Sequence, residues 1–139
     1  MKKKSFLLMS LLIPLTVNSC AQPISRKLES TIKDNNVCLF INNEKTYSDS
    51  ENSYLVFVTE ITANKDYKTI YEKAYSKGNF PILEKDCALI PLSFFKKNTP
   101  YDVSLESNKN FSTQICISED KKILPVKYLT PSEAVCSKS

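Results

Sequence analysis

The cysteines are the residues of this chain with the most specific chemistry. There are five, and no two of them form a Cys-x-x-Cys pair, so their spacing contains no redox motif. Cys20 follows an apolar stretch near the N-terminus, and the other four are spread along the rest of the chain, at positions 38, 87, 116 and 136. Because an odd count in an exported protein leaves one thiol over, we expect one cysteine to serve a separate purpose.

Cys20 ends a segment that is typical of an export signal. Three lysines at positions 2–4 precede a twelve-residue run, Phe6 to Val17, that is apolar apart from two hydroxyl residues. The run is shorter than the roughly 20 residues of a membrane-spanning helix. Val17-Asn18-Ser19-Cys20 resembles the lipobox of bacterial lipoproteins, whose cysteine is acylated and becomes the new N-terminus. We therefore predict a signal peptide over 1–19 and lipidation at Cys20, with an ordinary cleaved signal as the alternative.

The remaining four cysteines can form two disulfides, which persist in an oxidising compartment such as the periplasm. Four cysteines allow three pairings. We predict that Cys38 pairs with Cys87, since both lie in strands expected in the core. Cys116 and Cys136 share the C-terminal part of the chain and are paired locally. The competing interpretation, free thiols of a cytosolic enzyme, disagrees with the export signal.

Other catalytic chemistry has few candidates. The chain has no histidine, which removes the commonest general base and the imidazole metal ligand. Its single glycine, Gly78, excludes a glycine-rich phosphate loop. Two carboxylate pairs, Glu84 with Asp86 and Glu119 with Asp120, lie among lysines in predicted turns and are interpreted as solvated charges. We expect no enzymatic activity, no metal and no cofactor.

The net charge argues against a nucleic-acid partner. The formal charge is +4, but removal of the signal peptide leaves 16 basic against 15 acidic residues, or about +1. Nucleic-acid binding requires a basic patch that displaces counterions, so we expect none. The mature chain, with a tether over 20–26 and a domain over 27–139, is long enough for one core, and we expect a monomer.

Short segments of β-forming residues recur along the predicted domain. Val37–Ile41 and Tyr54–Thr62 are the most strongly apolar, and Phe111–Ile117 alternates as one arm of a hairpin. Ile123–Leu129 contains a proline and predicts an edge strand. About seven strands with frequent turn signals predict an all-β fold, an antiparallel sandwich of the immunoglobulin-like or fibronectin-type-III-like kind.

The region before Tyr101 carries a more specific signal. An apolar strand end, a polar loop and a tyrosine at the start of an alternating strand are typical of the corner between strands E and F of an immunoglobulin-type sandwich. We expect Tyr101 to pack its ring in the core and to bond its hydroxyl to loop backbone. A half-buried tyrosine without this role is the alternative.

The segment Tyr67–Lys77 fits both a helix and a strand. We favour a strand, because its neighbours are strands and Gly78-Asn79 offers a hairpin-like turn. Side chains of a strand alternate between its two faces, so a strand would place Tyr67, Tyr71 and Tyr75 on one face, together with Thr69 and Lys73.

Several short motifs resemble those of a known family. The chain is similar, from the lipobox to about Leu129, to small Gram-negative periplasmic lipoproteins described as type VI secretion immunity proteins. The matching residues are Asp34-Asn35-Asn36-Val37-Cys38, Cys87-Ala88-Leu89-Ile90-Pro91, Pro100-Tyr101-Asp102-Val103 and the hairpin strand Phe111–Ile117. The chain departs from the family pattern in having Lys97-Asn98-Thr99 where a glycine-containing loop is usual.

The resemblance implies a lipid-anchored binding protein that neutralises a toxin in the periplasm without chemistry of its own. Its membrane contact would be the anchor at Cys20, and Ala21 after that cysteine favours the outer membrane. We name Tyr67, Tyr71 and Tyr75, with the polar 42–53 loop, as candidate toxin contacts; strand packing is the alternative for the tyrosines. A lysozyme-inhibitor-like or structural envelope lipoprotein remains the rival function.

Overall fold

A computed structural model of the protein describes residues 25–46, 53–63, 66–75 and 80–138. The predicted signal peptide, Cys20, much of the 42–53 loop and the Gly78-Asn79 turn lie outside these residues. The described part contains ten strands: β1 (Arg26–Lys27), β2 (Glu29–Lys33), β3 (Asn36–Phe40), β4 (Tyr54–Glu60), β5 (Lys68–Tyr75), β6 (Ala88–Pro91), β7 (Tyr101–Glu106), β8 (Asn110–Ile117), β9 (Ile123–Thr130) and β10 (Glu133–Cys136). The first strand therefore begins within the predicted 20–26 tether.

The strands form two sheets. The larger has the order β10-β9-β8-β7-β4-β5, with β1 beside β8, and the smaller has the order β2-β3-β6. Neighbouring strands are antiparallel except β1 and β8, which run parallel. Strands β3 and β6 correspond to B and E, and β4, β7 and β8 to C, F and G, of an immunoglobulin-type sandwich. The predicted all-β antiparallel sandwich is confirmed, with ten described strands instead of about seven.

The core lies between the sheets and follows the period-two pattern of the sequence. In β4 and β7 every second residue is buried, and the side chains between them are partly exposed. Strand β3 differs, because Val37 and Leu39 face the core while Cys38 and Phe40 are also buried on its other side. The turn over Glu84–Asp86 and the bonded Cys87 lie against this other side, so both faces of the strand are covered and its sequence is nearly continuously apolar.

Tyr101 has the corner role that its position predicts. Its side chain is fully buried at the start of β7, and its ring meets the ring of Phe95 edge-on, with 5.2 Å between the centroids. The backbone N–H of Lys96 donates a hydrogen bond of 2.8 Å to the Tyr101 hydroxyl oxygen. Burial raises the pKa of Tyr101, so the hydroxyl stays neutral. One residue thus ties the loop between the sheets to the core.

The C-terminal region corrects the prediction for β9. This strand was expected at an edge because of Pro125, but β10 pairs along its outer side and is the edge strand itself. Pairing with β8 covers only Ile123 to Pro125, and pairing with β10 takes over from Val126. Proline has no N–H to donate, so it is tolerated where one ladder ends and the next begins. The tail after 130 therefore contains a strand, β10.

Strand β5 is confirmed, but it contains an irregularity. The register pairs Val58 with Tyr71 and Thr59 with Thr69, so Ile70 is the extra residue of a β-bulge. Successive residues of β4 point to opposite faces, and their partners do the same. Thr69 and Tyr71 therefore lie on opposite faces of the sheet. The prediction of one continuous tyrosine-bearing face along this segment is wrong at the bulge.

One carboxylate in the larger sheet works against stability at neutral pH. Asp102 lies on the outer face of β7, opposite Thr59 and Gln114, and burial raises the pKa of its carboxyl although the Val103 backbone N–H acts to lower it. A raised pKa in the folded state means that ionising Asp102 costs more free energy in the folded than in the unfolded protein. This loss of stability is absent below the pKa of the unfolded state and is complete once the pH has risen through the pKa of the folded state.

We expect Asp102→Asn to stabilise the protein by roughly 0.5 kcal/mol at pH 7, since a half-buried carboxylate is partly screened by solvent. The gain should vanish at a pH below about 4, where aspartate is protonated in both states. Urea unfolding at the two pH values measures the effect. Glu106→Gln, at an exposed position of the same strand, is the matched control and should change little. A loss of stability in Asp102→Asn at pH 7 would contradict the prediction.

Candidate functional site

The two predicted disulfides are present. Cys38 in β3 is bonded to Cys87, which immediately precedes β6, with 5.3 Å between the Cα atoms. Cys116 in β8 is bonded to Cys136 at the end of β10, with 5.7 Å between the Cα atoms. Each bridge stays within one sheet: the first joins neighbouring strands of the smaller sheet, and the second joins β8 to β10, on the two sides of β9. The B–F bridge of antibody domains instead joins the two sheets. The two bridges of this chain brace the sandwich from its outer surfaces and leave the core apolar.

The carboxylates that sequence analysis considered have local partners. Glu84 accepts a hydrogen bond from the Thr31 hydroxyl, and Asp120 forms an ion pair of 2.8 Å with Lys122. Hydrogen bonds from Lys122 and Ser118 lower the pKa of Asp120 to about 2. A carboxyl group with so low a pKa stays ionised and is no proton donor at neutral pH. Within the described ranges, no three His, Cys, Asp or Glu side chains are grouped to hold a metal ion.

A different surface stands out, where the edges of the two sheets meet. Strand β5 is the edge of the larger sheet and β6 is the edge of the smaller one. The side chains of Tyr71, Tyr75 and Phe94 and the backbone carbonyl of Leu89 lie along this seam, and we call these residues the aromatic face. Leu89 and Phe94 are 43% and 44% exposed, two of the five exposed large apolar residues in the described part of the chain.

The local fold explains why these residues converge. The bulge at Ile70 returns Tyr71 to the inner side of β5, so that it faces the neighbouring sheet. A 3-10 turn over Leu92–Phe94 follows β6 directly, with Leu92 buried and Phe94 outward. The rings of Phe94 and Tyr71 meet edge-on, with 4.9 Å between their centroids. The turn therefore delivers an exposed ring onto a tyrosine of the other sheet.

The tyrosine hydroxyls form a chain across the seam. The Tyr71 and Tyr75 hydroxyl oxygens are 3.4 Å apart, and the Tyr75 hydroxyl donates to the carbonyl oxygen of Leu89 at 3.4 Å. Burial, followed by the hydrogen bond with Tyr71, raises the pKa of Tyr75 far above its ordinary value of 10. Tyr75 therefore remains a hydrogen-bond donor at any physiological pH. Its ring also stacks on Tyr54, with 4.8 Å between the centroids.

A positive charge lies at the rim of the aromatic face. The Lys73 ammonium nitrogen is 4.8 Å from the centroid of the Tyr75 ring, within the range of a cation–π contact. Apolar and aromatic surface, a fixed hydroxyl chain and a charged rim are the usual composition of a protein-binding surface. The Tyr71 and Tyr75 rings are held by contacts with Phe94 and Tyr54, an arrangement that limits the entropy a side chain would lose in an interface.

The aromatic face only partly matches the predicted contact residues. Tyr71 and Tyr75 belong to it, but Tyr67 precedes β5, is 66% exposed and has no described contact with the other two. Leu89 and Phe94 were missed. The adjacent Phe94 and Phe95 look alike in sequence, and only the tertiary structure shows that Phe95 is buried against Tyr101 while Phe94 is outward.

The fold and this surface define the chain as an immunoglobulin-type β-sandwich with two disulfides and an exposed aromatic seam. A scan of protein-family models, a search of curated proteins and a search of solved structures each found no match to the chain. Among the described residues, no helix is long and apolar enough to cross a membrane.

Proposed function

We propose that this protein is a binding protein of the bacterial envelope, anchored through an acylated Cys20, that neutralises a protein toxin delivered to the periplasm. It acts by covering the toxin's active cleft and performs no chemistry itself. The observation that carries the proposal is the aromatic face, a rigid, partly exposed cluster at the junction of two sheet edges. The lipobox-like motif and the two disulfides agree with an oxidising compartment outside the cytoplasm.

Occlusion needs a surface that keeps its shape when it meets a partner. Tyr71 is held between the Phe94 ring and the Tyr75 hydroxyl, and Tyr75 is held by Tyr54 and the Leu89 carbonyl. About half of the Phe94 side chain remains accessible, so it has apolar area left to bury in a complementary pocket. Aromatic anchors of this kind commonly contribute 2 kcal/mol or more when central to an interface. We assign this anchor role to Phe94, with Tyr71 as its support.

The test uses the proteins encoded by the open reading frames next to the gene of this protein, which the proposal expects to include a secreted toxin. We expect Phe94→Ala and Tyr71→Ala each to weaken binding by about 30-fold or more, measured by calorimetry with the purified toxin. Tyr128→Ala is the matched control, because Tyr128 is an exposed tyrosine on β9, toward the opposite edge of the larger sheet. It should bind like the wild type, and all three variants should keep both disulfides and a cooperative unfolding transition.

Two results would reject the proposal. Full-strength binding by Phe94→Ala and Tyr71→Ala would remove the aromatic face as the contact surface. Absence of binding between the wild type and the neighbouring toxin, together with inhibition of a host lysozyme, would replace the immunity function by lysozyme inhibition. Both assays use the same purified protein, so the two functions are compared directly.

A further inference from the structure

A cleft of about 580 Å³ opens near the point where the N-terminal segment enters the sandwich. Among the described residues, four cationic side chains line it, those of Arg26, Lys27, Lys45 and Lys109, and one acidic side chain, that of Glu29. Glu29 forms an ion pair of 2.6 Å with Lys27. The described lining residues thus have a formal excess of three positive charges, in a chain whose charge without residues 1–19 is close to neutral. We call it the basic cleft.

The charges of the basic cleft come from three separate parts of the chain. Arg26 and Lys27 form β1, Lys45 lies in the loop after β3, and Lys109 lies in the turn between β7 and β8. Parallel pairing of β1 with β8 brings the first of these segments beside Phe111, whose ring centroid is 6.0 Å from the Arg26 guanidinium carbon. This contact positions the guanidinium at the wall of the cleft.

The basic cleft lies close along the chain to the proposed anchor at Cys20. Only five residue steps separate Cys20 from Ser25, where the described structure begins. A fully extended segment of that length spans at most about 18 Å. If Cys20 is acylated, Arg26 must therefore stay within roughly 20 Å of the bilayer surface, and β1 both continues the tether and lines the cleft.

We propose that the basic cleft binds phosphate groups of anionic lipid headgroups in the leaflet that holds the anchor, and so fixes the orientation of the sandwich on the membrane. This inference rests on the envelope anchoring in the proposed function. Arginine offers a planar pair of donors that matches phosphate oxygens, and lysine contributes a mobile point charge. The lining amides of Asn42 and Asn43 are further polar groups at the same wall.

The test separates lipid binding from the anchor. The mature chain from residue 20, carrying Cys20→Ser, retains every described residue and both disulfides but cannot be acylated. We expect it to bind vesicles of phosphatidylcholine mixed with phosphatidylglycerol, and not vesicles of phosphatidylcholine alone. A variant with Arg26→Gln, Lys45→Gln and Lys109→Gln should bind about 100-fold more weakly, on the order of fivefold for each cation near an anionic surface.

The matched control removes the same charge elsewhere. Lys68→Gln, Lys85→Gln and Lys127→Gln change three exposed lysines that do not line the cleft. We expect this variant to lose much less affinity than the cleft variant. Lys45→Glu provides a second test in case the change at Arg26 disturbs β1, since Lys45 lies outside the strands. Thermal unfolding verifies that each variant is folded.

Three outcomes would overturn the proposal. An equal loss of vesicle affinity in the cleft and control variants would show a diffuse electrostatic attraction without a defined site. Equal binding to neutral and anionic vesicles would exclude headgroup charge as the cause of binding. Binding of inorganic phosphate at the cleft, without binding to anionic vesicles, would assign the cleft to free phosphate. The mass of the mature polypeptide reports acylation of Cys20 separately, so failure of the anchor is distinguished from failure of the cleft.

Discussion

Replacing Cys38 and Cys87 together by alanine is expected to lower the free energy of unfolding by about 4 kcal/mol. The bridge closes a loop with a sequence separation of 49, and its removal restores the corresponding chain entropy to the unfolded state. Cys38 is also fully buried in the central strand of the smaller sheet, so the loss falls on the fold as a whole. A domain of this size has about 5–15 kcal/mol of stability in total, which makes the effect large. Urea unfolding measures it.

The second bridge provides the comparison. Loop entropy alone assigns about 3 kcal/mol to Cys116–Cys136, whose sequence separation is 20. However, β10 is an edge strand that pairs only with β9, most of β9 is exposed, and no residue of β10 is fully buried. Without the bridge the tail can detach while the core remains, so the folded state regains part of the same entropy. We expect a smaller loss than 3 kcal/mol, with faster hydrogen exchange confined to β9 and β10. Equal losses in the two double variants would contradict this distinction.

Replacing Tyr101 by alanine is expected to cost about 3–5 kcal/mol, comparable to other large aromatic truncations in cores. The side chain is fully buried, contacts the Phe95 ring and accepts the Lys96 backbone hydrogen bond. Tyr101→Phe keeps the ring and removes the hydroxyl, which leaves the Lys96 N–H without this acceptor, and should cost roughly 1–3 kcal/mol. Chemical unfolding gives both values, and the Lys96 amide should exchange faster in the phenylalanine variant.

A surface tyrosine provides the control for the hydroxyl. Tyr128 is 47% exposed, and its hydroxyl accepts a hydrogen bond from the Gln114 side chain. Because water can replace this bond, Tyr128→Phe should change stability by no more than about 0.5 kcal/mol. If Tyr101→Phe were equally neutral, the hydroxyl would have no part in holding the corner and only ring packing would matter.

The strands and the corner were predictable because local sequence carries their signals. Alternation in β7 assigns Tyr101, Val103 and Leu105 to one face, and all three are buried. The apolar run of β3 predicts a central strand, which its position between β2 and β6 confirms. The disulfide pairing followed from the expected neighbourhood of strands, and both predicted bonds are present.

The predictions that failed concern edges, where no local signal decides the pairing. Pro125 correctly indicated an interrupted ladder, but the short tail strand that covers β9 has little β-forming sequence of its own. The bulge at Ile70 is equally hidden, because one extra residue changes the face of every later side chain without altering the composition of the strand.

The candidate site was also predictable only in part, where a local sequence signal exists. The sequence placed tyrosines in β5, but it contained no reason to prefer Phe94 over Phe95 or to join Phe94 with Tyr71. The basic cleft was hidden for a related reason, since its cations come from three segments spread over more than 80 positions and the overall charge is nearly balanced.

The amino-acid sequence by itself determined the β class, the burial pattern of the main strands and the corner tyrosine, because periodicity and residue type act over a few neighbouring positions. Tertiary structure alone decided which strands form the edges, which aromatic rings remain exposed and where positive charge accumulates. Those properties depend on contacts between distant segments, and two sheets must pack before such contacts exist.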